Sequence, residues 1–177
     1  MHGAFRILRR GLDFLYDLAG WLAAACLVAI LAVIAAQVAA RWAGIPFRGS
    51  SEYAGYFMAA ASFLAFAHTL NRGAHIRVGL LLNLLGKWRA WGEVWAAAIS
   101  AAAATYLAWY AVKLVYWSWR LKDVSQGQDA TPLWIVQVPV AIGAMLLALC
   151  LIDNLVCLLL TGRDNIRTDL PDTSRAE

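Results

Sequence analysis

Apolar residues in this chain come in four long runs, and polar positions gather between them. The first run reaches from about Leu18 to Ala40, broken late by Gln37 and closed by Arg41 and Trp42. Gly44, Pro46 and Gly49 then interrupt any helix. A second run opens at Ser50 or Ser51, either suited to capping free backbone amides, with Glu52 placed favourably against the helix dipole, and ends near Asn71. The third lies between Trp91 and about Trp119, with Trp88, Trp91 and Trp95 at one end and Trp109, Trp117 and Trp119 toward the other. Thr131 as cap and Pro132 at the first helical position start a fourth, which reaches Asp153. A hydrocarbon core of about 30 Å needs roughly 20 such residues per helix. The pattern therefore predicts an all-α integral membrane protein, a single membrane domain over 1–177, with spans at about 18–41, 51–71, 91–118 and 132–154.

Between the second and third runs, HIRVGLLLNLLG is apolar but too short to span. It predicts an interfacial amphipathic helix over about 75–86, with Arg77 and Lys87 at the headgroups and Ile76, Leu80 and Leu84 in the acyl boundary. The tail 163–177 is polar and expected to fray.

Composition agrees with lipid as the solvent: 62% of the 177 residues are hydrophobic and only 15% charged. The net charge of +4 is confined to small groups at the ends of apolar runs, which argues against nucleic-acid binding. Ten Lys and Arg residues fall before the first run, in the middle connection and after the last, against five on the other side. By the positive-inside rule both termini face the cytoplasm.

Chemistry is sparse. Cys26, Cys150 and Cys157 lie inside apolar runs without metal or redox spacing. His2, His68 and His75 are not placed to ligate a haem between facing helices, and no hydrolase, metalloprotease or phosphate-loop motif occurs. The expectation is no enzyme, no cofactor and no metal site. Asp153 reads as a boundary acid more than a functional one. Gln37 and Arg41 share a helix face, and Glu52 opens the next helix from the same side, so a hydrogen-bonded cluster of the three competes with simple snorkelling of Arg41. Small-residue stripes at Ala32, Ala36 and Ala40 and at Ala96, Ser100, Ala104 and Ala108 suit either internal packing, the favoured reading, or a partner's helix.

Three segments in order carry a resemblance. QVAARWAGIPFRGSSEYAGYFM, from Gln37 to Met58, has a helix-ending arginine, an aromatic residue, a proline turn and a glutamate opening the next helix. NRGAHIRVGLL, from Asn71 to Leu81, has the glycine followed by His75 to Val78, and TPLWIVQVPVAIGAML, from Thr131 to Leu146, spaces Pro139 and Gly143. Together they resemble the small permease subunit, DctQ-like, of the tripartite ATP-independent periplasmic (TRAP) transporters, over about residues 15–160. That resemblance implies a bacterial inner-membrane scaffold in a sodium-coupled secondary transporter for organic acids such as dicarboxylates. Its implied partners are a large multi-helix permease and a periplasmic substrate-binding protein, with Gln37, Arg41, Glu52, His75 and Arg77 as structural or partner-contact candidates. The alternatives are a membrane anchor of an oxidoreductase, which would need haem or quinone contacts, and an independent small carrier.

Overall fold

A computed structural model describes residues 2–71 and 89–161 of the chain. Among these residues it is all-helical: α1 His2–Trp42, α2 Ser50–Asn71, α3 Arg89–Leu121 and α4 Leu133–Thr161. His75, Arg77 and the expected interfacial helix lie outside the described residues.

The helices run past the spans read from sequence. α1 starts sixteen residues before Leu18, and the reason is visible in its packing: Tyr16 is buried and Leu12 packs beside it, against α2 and α4. At the other extreme α4 continues through LVCLLLT, which contains no breaker, so Asp153 lies about two turns inside the helix, half-buried and engaged. Pro132 does not open α4. It pairs with Val124 in an isolated antiparallel bridge, and the helix begins one residue later.

α1 packs on α2, α2 on α4 and α4 on α3, so the order across the array is α1, α2, α4, α3. Phe63 meets Gly143 and Ala67 meets Cys150, so α2 and α4 run parallel. The turn 43–49 and the loop 122–132 therefore share one end, and the start of α1 and the end of α4 share the other.

Alanine fills the seams, supplying eleven of the sixteen buried apolar residues among those described, which lets backbones approach closely. The α3–α4 seam is Ala104 and Ala108 against Ala144 and Ala148. At the α2–α4 seam a Cβ built on Gly143 would stand 2.5 Å from the Phe63 backbone carbonyl, so only glycine fits. The stripe expected to pack inside the first span is corrected: Ala32 and Ala36 are exposed, and Cys26, Ile30, Val33, Gln37 and Ala40 form the half-buried face. The α3 stripe is divided in the same way, with Ala96 and Ser100 exposed. Four-residue spacing matches several faces of an alanine-rich helix equally well, so it cannot choose between them.

Among the described residues three helical segments are long and apolar enough to cross a membrane: Gly11–Trp42, Trp91–Leu121 and Leu133–Leu159. α2 is long enough, but its serines, tyrosines, Glu52, His68 and Asn71 dilute it. Its place explains the tolerance. Flanked on both sides, α2 shows less of its surface to lipid than an edge helix does.

Candidate interface at the loop end

At the loop end, two short connections are fastened to the first turns of α2. Gly44 and Gly49 take φ of 72° and 79°, the left-handed conformation that reverses the chain after α1 and again before α2. Ser50 is buried and donates to the Phe47 carbonyl at 3.3 Å. Ser51 donates to Glu52 Oε2 at 2.8 Å, and the Tyr53 amide donates to the Gly49 carbonyl, the first turn of α2.

The longer loop is folded on itself. The Ser125 amide donates to the Thr131 carbonyl at 2.8 Å, the Leu133 amide to Asp123 at 3.0 Å, and the Gly127 amide to Ser125 Oγ at 3.1 Å. Nearly two turns into α2, Tyr56 clasps this loop. Its hydroxyl donates to Asp129 Oδ2 at 3.0 Å and shares a 2.7 Å hydrogen bond with Ser125. The hydroxyls of Thr131, Ser125 and Tyr56 hold the Asp129 carboxyl below the usual carboxylate range, against the opposing effect of burial. Gly127 is pressed on Glu52: a Cβ there would stand 2.7 Å from Glu52 Cγ and 2.9 Å from Asp129 Oδ1.

Of the residues singled out in the sequence, Gln37 and Arg41 come together, with Pro46, Phe47, Arg48 and Gln128, around a hollow of about 650 Å³. Glu52 instead faces its own Ser51 and the α3–α4 loop. Sequence reasoning missed Tyr56, Ser125 and Asp129, whose contacts join residues about seventy positions apart.

The opposite end holds a second polar contact. His68 Nδ1 lies 3.3 Å from Asp17 Oδ1 and 3.2 Å from the Tyr16 carbonyl oxygen. Gly20 makes room, since a Cβ there would come within 2.8 Å of the His68 ring. Among the described residues no group of three or more His, Cys, Asp or Glu side chains could hold a metal ion.

Long apolar helices, with polar side chains that fasten a loop and a helix pair, define a helical membrane protein. Residues 30–161 match the family model described as tripartite ATP-independent periplasmic transporters, DctQ component. The chain belongs to that family, as a non-enzymatic subunit of a transporter, and membership implies association with large permease and binding-protein components. Comparison with curated proteins and with solved structures gives no match.

Proposed function

We propose that the chain is the small membrane subunit of a sodium-coupled secondary transporter for organic acids such as dicarboxylates. In this reading it scaffolds the large permease in the bacterial inner membrane and helps to dock the periplasmic binding protein. α2 is the fourth span and both termini are cytoplasmic, which the ten-to-five distribution of basic residues favours. The loop end is then periplasmic.

The observation that carries this reading is the Tyr56–Asp129–Ser125 clasp. It fastens the 122–132 loop to α2, beside the 43–49 turn whose Gly49 lies against Asp129, and a docking face that is already ordered loses less conformational freedom on binding. Arg41 and Arg48, around the hollow beside it, supply positive charge toward an acidic patch on the binding protein. Gln37, Glu52, His75 and Arg77 remain partner-contact candidates, the last two on the cytoplasmic side. Nothing in the family match favours the oxidoreductase anchor.

The test is affinity purification of the tagged chain at native expression from a mild detergent. A large multi-helix permease is expected in near-equal amount. Recovery of the chain by itself from cells that make the permease would refute the scaffold.

A further inference from the structure

Between the loop-side halves of α3 and α4 a cleft opens on the outside of the array. Its upper part, about 620 Å³, is lined by Arg120, Lys122, Val124 and Pro132 with Trp119 and Trp134. Its lower part, about 460 Å³, is lined by Val112, Val115, Val138 and Met145 with the same two tryptophans. Sharing Trp119 and Trp134, the two parts form one trough, apolar below and cationic above. Among the described residues no acidic side chain lines either part.

Arg120 is held by a side-chain hydrogen bond and Lys122 by its backbone. Arg120 Nη1 donates to the Tyr116 hydroxyl at 2.9 Å, and Tyr116 itself lines the lower part, so the guanidinium is tethered where the two parts meet. One of its five N–H donors is used there, and the fork of the others suits a phosphate. Lys122 has φ of 53°, just past the end of α3, where the Asp123 amide donates to the Ser118 carbonyl at 3.0 Å. Glycine is the residue such a helix end favours. A lysine held there against its backbone preference places an ammonium at the rim.

We propose that this trough binds a phospholipid of the loop-side leaflet, its phosphate between Arg120 and Lys122 and an acyl chain along Val112, Val115, Val138 and Met145. Tryptophan is the side chain that favours the headgroup boundary, and Trp119 and Trp134 stand where head gives way to tail. Width favours lipid over protein. Packed helices lie about 8–10 Å apart, and the furrow between them admits a hydrocarbon chain, whereas a third helix about 10–12 Å across rides over it.

Native mass spectrometry of the full chain in neutral detergent tests this, with phosphatidylglycerol, diacylglycerol of the same acyl chains, or inorganic phosphate added. Phosphatidylglycerol is expected to be retained about tenfold better than diacylglycerol, the discrimination that one charge-assisted anchor supplies. Arg120→Gln and Lys122→Gly should each lower retention several-fold. Lys122→Gly should do so with an unchanged or raised melting temperature, because glycine relieves the positive φ, which separates lost binding from lost folding. Equal retention of the two lipids, or full retention by the double variant, overturns the proposal. Displacement of the lipid by inorganic phosphate alone overturns it in favour of a free-anion site. In cell membranes, a photo-crosslinker at Val138 should capture lipid, and capture of the large permease instead contradicts the assignment.

Discussion

The two ends of α2 are anchored by different means. At its Ser50 end the helix holds loops: Tyr56 reaches Ser125 and Asp129, and Gly127 lies against Glu52, so side chains order backbone that has few ladder bonds of its own. At its Asn71 end it holds another helix, with His68 set into the space left by Gly20 and turned toward Asp17 and the Tyr16 carbonyl. The first anchor shapes a surface and the second locks a helix pair. A change at the first should be felt as loop disorder with the array intact, and a change at or beside the second as lost helix packing.

The largest effect is expected inside the array, between the two anchors. Gly143→Ala would drive a methyl into the Phe63 backbone, which cannot rotate aside, and should cost about 3 kcal/mol by overpacking. Thermal melting in detergent reads it, and a melting temperature equal to that of the parent would contradict the close α2–α4 approach. Gly20→Ala meets a side chain instead of backbone, so part of the clash can relax. A cost of about 1–2 kcal/mol is expected, with loss of the Asp17–His68 contact. His68→Ala in the Gly20→Ala background should then recover part of that loss, which identifies the ring as the obstacle.

Tyr56→Phe removes one hydroxyl and both of its loop contacts. About 1 kcal/mol is expected, and it should appear as faster hydrogen exchange over 122–132 with α1 to α4 unaffected. If protection falls evenly over the whole chain, the distinction between the two anchors is wrong. The smallest effect is that of pH. The folded carboxyl of Asp129 titrates lower than its unfolded counterpart, so its contribution is complete above the ordinary range and is lost as pH falls through the lowered value. Loop protection should be flat from neutral pH down to about pH 5 and decline below about pH 4. Asp129→Asn should flatten that decline.

How much of this the sequence shows follows from how local each feature is. The helices of the described regions, the Gly44–Gly49 reversal and the start of α2 at Ser50 rest on apolar runs and on neighbouring glycine, proline and serine, and they are legible. Gly143 is marked only through the resemblance of the segment 131–146, and the Phe63 carbonyl that requires a glycine there is not legible at all. The Tyr56 clasp and the His68–Asp17 contact were not legible, because each depends on pairing between distant segments. Nor was the facing of the alanine stripes, since α1 has alanine on nearly every side and periodicity loses its contrast. The reach of α4 to Thr161 is not legible from its charges either, because a boundary acid such as Asp153 does not end a helix that meets no breaker.

We propose that this subunit shapes and holds a transporter without carrying substrate itself. Uptake of a labelled dicarboxylate into sodium-loaded and sodium-free proteoliposomes tests it most directly, with the chain alone, the chain with its large permease, and both together with the binding protein. Accumulation is predicted only in the complete set and only under an inward sodium gradient. Accumulation by the chain alone, or by permease and binding protein at full rate without it, would contradict the account.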